Sequence, residues 1–372
     1  MRLLDKIMSK VDKPFFILVI TLMLVGFFIF SSASLALLTK ENNTFGLIAG
    51  KQLVLGVVLG LVLMFIFSKI HYSFWNRCSL YIFLFSLFLT FLVFLPNLGF
   101  SHGGATRWID LKFITFQPAE ILKFGFVIYF ATWLASFKDK TDKFKFGLLP
   151  LFIILGLTAI PLLLQPDTDT FLIIAIGAVA MYFASGARWR DILIIILIGL
   201  IGFAVLLYNK PYLQARISTY LNPTADQQDT GYQLRQSLIA IGSGEIFGRG
   251  FGKSLQKYTY LPEPMGDSIF AVFAEEWGII GSVTLILLFV LLTLRGFKIA
   301  TNSPNMWSGL VIIGIMTMII TQSFVNIASM LGVIPLSGTP LVFISQGGSS
   351  MLFALAEMGL ILNISKYQKK VS

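Results

Sequence analysis

Long runs of Leu, Ile, Phe and Val recur along the chain, and polar residues gather in short clusters between them. A helix needs about 20 apolar residues to cross a hydrocarbon layer about 30 Å thick. By that rule ten segments qualify, at 14–34, 52–68, 79–98, 117–137, 147–164, 171–187, 192–208, 268–294, 306–330 and 341–364. Most are apolar on every face, as helices against lipid are. The pattern predicts an all-α polytopic membrane protein, one membrane domain over 1–372, with a single long hydrophilic segment at about 209–267. In that segment Leu234, Leu238 and Ile241 recur at i, i+4, i+7. The spacing predicts a short amphipathic helix over Tyr232–Ile241, lying on the membrane or over a cavity; a plain covering loop is the other reading.

Composition agrees. Of 372 residues 56% are hydrophobic and only 12% charged, and mean hydropathy is +0.83. A soluble domain carries about 25% charged residues. The 28 Lys and Arg exceed the 18 Asp and Glu, for a net charge of +10. These bases are scattered between apolar blocks without a stripe or reader motif, so the excess does not indicate nucleic acid. It indicates orientation. With ten spans both termini share a side, and 17 of the 28 bases fall there, including Arg2, Lys6, Lys10, Lys13, Arg295 and Lys370. The Lys/Arg bias of short loops therefore predicts cytoplasmic termini and an external 209–267 segment. The first apolar run lacks a signal-peptide cleavage site and reads as a retained span. Cys78 stands alone, which excludes an intrachain disulfide. His71 and His102 form no zinc-ligand spacing.

Charges within spans cost several kcal/mol and face a cavity or a partner. Glu120 and Lys123, in Gln117-Pro118-Ala119-Glu120-Ile121-Leu122-Lys123, share a helix face at i, i+3. They make either a structural ion pair or a polar wall in which Lys123 meets an anion. Asp267, in Leu261-Pro262-Glu263-Pro264-Met265-Gly266-Asp267-Ser268, sits at the outer mouth of the next span. It reads as a helix cap or as a general base at a partly dry rim. Glu275 and Glu276 follow about two turns deeper, and at most one of them can share a cavity with Asp267. Ile334-Pro335-Leu336-Ser337-Gly338-Thr339-Pro340 and Gln346-Gly347-Gly348-Ser349-Ser350 predict a broken or late-starting helix, either closely packed or presenting free N–H groups to an anion. Arg107, Asp167, Lys210 and Arg216 fall on the same outer side, each by itself a common surface charge.

Taken together, these segments resemble the SEDS family of cell-wall glycosyltransferases (FtsW and RodA), and FtsW more closely. The matching stretches are GGATRWIDLKFITFQPAEILK, QPD at 165–167, KPYLQARI at 210–217, the 231–281 segment containing LPEPMGDSIFA, and GVIPLSGTPLVFISQGGSS at 332–350. The resemblance implies ten helices with a large outer loop between the seventh and eighth. It implies polymerisation of lipid II into glycan strands outside the bacterial cytoplasmic membrane, with septal wall synthesis the FtsW-like role and elongation the RodA-like one. The family's catalytic aspartate falls on Asp267. Arg107, Glu120, Lys123, Asp167 and Arg216 match polar positions of its substrate cavity. The implied partners are a class B penicillin-binding protein transpeptidase and other division or elongation proteins. The chemistry suits these residue types: cations stabilise a departing diphosphate, and a carboxylate can take the proton of a sugar hydroxyl. No cofactor is identified in the residues, although a divalent cation, Mg2+ or Mn2+, could bridge diphosphate and carboxylate. Three places depart from the family pattern: Met265, Gly266 and Ser268 around the aspartate, Gln346 where FtsW has Tyr, and Asp169 where Gly is usual. A lipid II flippase is the rival reading, and a non-catalytic scaffold the third.

Overall fold

The computed structural model describes residues 11–39, 45–96, 98–102, 105–110, 115–222 and 230–369. Arg2, Lys6, Lys10 and Lys370 of the orientation argument, with Gly103 and Gly104 of the motifs, lie outside the described residues.

All ten predicted apolar segments fold as helices. Seven are long and apolar enough to cross a membrane: Lys13–Leu38, Ile48–Lys69, Pro118–Ser136, Trp189–Asn209, Ile269–Thr301, Met306–Met330 and Gly348–Ser365. Ser79–Leu92, Leu148–Leu164 and Thr168–Ala184 are shorter apolar helices at the other three positions. In chain order the helices are α1 (Lys13–Ser34), α2 (Phe45–Lys51), α3 (Leu59–Lys69), α4 (Tyr72–Arg77), α5 (Ser79–Leu92), α6 (Pro118–Ser136), α7 (Leu148–Leu164), α8 (Thr168–Ala184) and α9 (Trp189–Asn209). After them come α10 (Pro211–Leu221), α11 (Thr230–Ser243), α12 (Gln256–Thr259), α13 (Ile269–Thr301), α14 (Met306–Met330) and α15 (Gly348–Ser365). A π-helical stretch, Gln52–Val58, joins α2 to α3.

The most buried helices are α6, α14 and α15, whereas α9 shows lipid a nearly unbroken apolar surface. Between lipid-bathed helices apolar burial supplies little drive, so packing rests on close backbone approach at small residues. Gly359 does this for α15, because a side chain there would strike the backbone of Met64 on α3. At the cytoplasmic end Arg295 of α13 donates to both carboxylate oxygens of Asp12 at 2.9 and 2.8 Å, and Asp12 also caps α1 through the Phe15 N–H.

Four features differ from the sequence reading. A small antiparallel sheet, β1 (Gly99–His102), β2 (Ala105–Asp110) and β3 (Thr115–Phe116), precedes α6 in register Gly99↔Ile109 and Ile109↔Phe116. The amphipathic helix exists as α11, but its buried face is Gly231, Leu234, Ser237 and Ala240, packed over α13, while Leu238 is exposed. The last span starts at Gly348 rather than 341, a bound later than first drawn but the late start that its Pro- and Gly-rich approach predicts, since that stretch stays non-helical. Finally, α13 is broken. At 33 residues an unbroken helix would run about 50 Å, well beyond the hydrocarbon thickness. Gly278 leaves helical geometry at φ 63°, ψ −161°. The loop after α11 satisfies the freed backbone groups: Arg249 and Gly250 donate N–H to the Glu275 and Glu276 carbonyls, and Ile279 and Ile280 donate to the Glu245 and Ile246 carbonyls, at 2.9–3.2 Å.

Candidate active site at the long-loop face

Asp267 is the hub. The cap position of α13 belongs to Ser268, not Asp267, so the carboxylate is not spent on the helix end. The backbone around it is held from three sides. Asn326 of α14 donates through Nδ2 to the Asp267 carbonyl and the Thr339 carbonyl, both at 2.8 Å. Ser345 Oγ donates to the Gly266 carbonyl at 2.8 Å, and the Gln346 N–H to the Met265 carbonyl at 2.7 Å. The late start of α15 thus has a purpose in packing, because the uncoiled 341–347 stretch braces the aspartate turn.

Opposite lies Arg216, on α10, with Nη1 2.9 Å from Asp169 Oδ2. The same Asp169 oxygen accepts the Gly338 N–H at 3.2 Å. Gly338 separates the two partners: a Cβ there would lie 3.5 Å from Arg216 Nη2 and 3.6 Å from Asp267 Oδ2. The Tyr212 ring lies beneath the Arg216 guanidinium at 5.9 Å. Asp267 itself makes no hydrogen bond or ion pair through its carboxylate among the described residues. Burial, and after it the Glu263 and Asp169 charges, push its pKa up to about 7 against the opposing Arg216 and Arg107.

Arg107 projects from β2 to the Gln165-Pro166-Asp167 corner. Its Nη2 donates to the Pro166 carbonyl, Nε to the Gln165 carbonyl at 3.5 Å, and Nη1 lies 3.8 Å from Asp167 Oδ1. Asp167 is buried and caps α8 through the Thr170 N–H, while its Oδ2 has no partner among the described residues. Burial raises its pKa above the ordinary carboxylate value, with Arg107 opposing.

Glu120 and Lys123 sit deeper, buried in α6 at 2.9 Å from each other, and Lys123 also donates to Gln322 Oε1 at 2.8 Å. Gln322 Nε2 in turn donates to the Pro340 carbonyl, so a polar track on α14 (Gln322, Asn326) links this pair to the Asp267 turn. Glu357 of α15 lines the same small cavity, and nothing in the sequence reading anticipated it. It lies within an apolar run with no motif around it. Asp169 was visible only as a departure from a family glycine.

Glu275 and Glu276 face away from this site, so neither shares it with Asp267. Glu276 pairs with fully buried Lys257 at 2.7 Å and accepts from Ser32 of α1; Glu275 accepts from Ser254 Oγ at 2.5 Å and the Leu255 N–H at 3.0 Å. A cavity of about 520 Å³ also lies away from this site, between α7 and α9 near Asp142, Arg188 and Asp191. Among the described residues no group of three His, Cys, Asp or Glu is placed to hold a metal ion.

A multi-pass helical bundle with arginines, carboxylates and an unpaired aspartate converging beneath a structured loop defines a membrane protein with a polar site at one face. The sequence profile of the FtsW/RodA/SpoVE family, described as cell cycle protein, matches residues 12–370, and the chain belongs to that family. Stage V sporulation protein E of Bacillus subtilis is 34% identical over 97% of this chain and 99% of its own. A probable peptidoglycan glycosyltransferase FtsW of Geobacter sulfurreducens is 36% identical over 97% of this chain and 96% of its own. Among solved structures, a chain of a peptidoglycan synthase complex that coordinates polymerization and crosslinking superposes with TM-score 0.78 at 26% identity, covering 97% of this chain and 99% of that one. The rod shape determining protein RodA of Thermus thermophilus superposes with TM-score 0.71 at 26% identity, covering 96% and 98%.

Proposed function

We propose that the chain is a peptidoglycan glycosyltransferase of the cytoplasmic membrane, polymerising lipid II at the outer face, with Asp267 as general base. The observation carrying this reading is the Asp267 carboxylate: braced through its backbone, unpaired, and facing Arg216 across Gly338. In the step, the 4-hydroxyl oxygen of the acceptor sugar attacks the anomeric carbon of the donor. The bond from that carbon to the diphosphate oxygen breaks, the lipid diphosphate leaves, and the hydroxyl proton passes to Asp267. A base whose pKa lies near the working pH combines availability with proton affinity, an effect typically of 10²–10⁴-fold. Arg216 and Arg107 offer planar donors to the departing diphosphate, and Asp169 and Asp167 hold those guanidinium groups in place. Lys123, paired with Glu120, receives the anionic substrate on the inner side of the site. Were a divalent cation, Mg2+ or Mn2+, to take part, the Asp267 carboxylate is the group of this site that would hold it, and it would supply charge neutralisation to the departing diphosphate.

The FtsW and sporulation relatives favour septal over lateral wall synthesis, and the synthase-complex neighbour favours a crosslinking partner, a class B penicillin-binding protein. The test supplies lipid II to purified protein, alone and with that partner. Wild type yields glycan polymer and Asp267→Ala yields none; equal polymer from both would sink the assignment. The buried Glu120, Lys123 and Glu357 cluster motivates the flippase reading, which wins if liposomes show lipid II translocation without polymer.

A further inference from the structure

The loop between α11 and α12 carries apolar side chains that the protein leaves uncovered: Ile246 is 55% exposed, Phe247 80%, Phe251 43% and Leu255 58%. An aqueous loop gains nothing from such residues, and their position in the fold is informative. Phe251 stacks on Phe28 of α1 with ring centroids 4.3 Å apart, and Phe28 lies 6.3 Å from Trp277 of α13. Both of those rings belong to exposed apolar stripes, Leu24 and Phe28 on α1 and Trp277, Ile280, Val283 and Leu287 on α13. Phe28 is six residues short of the end of α1 at Ser34, about 9 Å along the axis. Measured from Lys13 at the other end, it stands about 22 Å up a hydrocarbon layer about 30 Å thick. The loop therefore reaches below the level at which α1 leaves the bilayer.

The backbone clasp with α13 fixes the loop at that depth. Glu245 and Ile246 accept from Ile279 and Ile280, Arg249 and Gly250 donate to Glu275 and Glu276, and Phe247 is at the tip between them. Non-helical backbone at membrane depth is tolerated where its polar groups are satisfied by protein. Arg249 and Lys253, both exposed, follow the apolar tip, Arg249 with its Nε also 3.5 Å from Glu275 Oε1, and bases take such places beside segments seated at a lipid headgroup boundary.

We propose that residues 245–255 form a wedge inserted into the lipid leaflet on the long-loop side, with Phe247 among the acyl chains and Arg249 and Lys253 at the headgroups. The occupant of this surface is lipid, since the loop continues the lipid-facing stripes of α1 and α13 without a gap.

The test uses the full chain in a Cys78→Ser background, reconstituted into phosphatidylglycerol and phosphatidylethanolamine vesicles. Nitroxide labels are placed at Phe247→Cys, at Leu291→Cys as a lipid-facing reference, and at Lys253→Cys. Phe247 is so exposed that its replacement leaves packing intact. The expected result is that oxygen relaxes the label at 247 more than a water-soluble nickel chelate does, matching 291, with the preference reversed at 253. Preferential nickel access at 247 would show an aqueous loop and overturn the proposal. Protection of 247 from both reagents would overturn it as well, by showing that protein covers the tip.

Discussion

Replacing Asp169 by Asn should move the pH dependence of polymerisation, because this carboxylate stands across Gly338 from Asp267, the proposed base. Asp169 Oδ2 is 3.2 Å from the Gly338 N–H nitrogen, and the Cβ position of the same glycine is 3.6 Å from Asp267 Oδ2. The two carboxylates are thus within about 9 Å, where one charge acts on another by ~1–2 kcal/mol at an effective dielectric of 20–40. That corresponds to about one pH unit. The sign follows from the chemistry. Asp267 must be ionised to accept a proton, so wild-type kcat rises as pH increases through about 7. Asp169→Asn removes a negative neighbour and frees Arg216 from its 2.9 Å pair, and both changes favour the ionised base. The rising limb should then shift about one unit toward acid, with activity at pH 6 gaining relative to the alkaline plateau. The assay is initial rate of glycan polymer from lipid II between pH 5 and 9, each variant normalised to its own plateau. An unmoved limb, or one displaced toward alkali, refutes the electrostatic account of Asp267.

The same group makes a stability prediction. With a folded pKa of about 7 against an ordinary 3.8, ionising Asp267 disfavours the fold, a penalty absent below about pH 4, growing from there to about 7 and complete above it. Asp267→Asn should therefore raise Tm at pH 8 and not at pH 4, the gain in unfolding free energy being at most ~4 kcal/mol and ~1–2 kcal/mol after solvent screening. Lys257→Met strands the buried Glu276 carboxylate and should cost ~3–5 kcal/mol in thermal unfolding, most of it recovered by adding Glu276→Met. Gly338→Ala puts a methyl group at ordinary contact distance from Arg216 and Asp267, so Tm should hold while kcat/KM falls about tenfold from crowding of the reacting groups.

The bundle was legible because each apolar run had to become a helix in lipid, with every backbone group satisfied internally. Motif order led to Asp267, Arg107, Asp167, Arg216 and the Glu120–Lys123 pair, and spacing alone paired the last two. What escaped depends on contacts distant in sequence. Glu357 looks like one acid in an apolar run until α15 sets it beside α6. Glu275 and Glu276 look like a deeper layer of the Asp267 cavity, and only the break at Gly278 and the return of Ser254–Lys257 turn them elsewhere. The sheet that aims Arg107 consists of strands too short for a two-residue period to declare itself.

The arrangement around Glu275 and Glu276 makes chain continuity between them dispensable. Their carbonyls grip the loop upstream at Arg249 and Gly250, while their carboxylates grip it downstream at Ser254, Leu255 and Lys257. The exposed Lys253 lies between those grips. A nick after Lys253 would leave each new end fastened to the same two residues, and two co-expressed fragments split there have what they need to reassemble. Fragments split after Lys253 and co-expressed are expected to copurify from membranes as one particle.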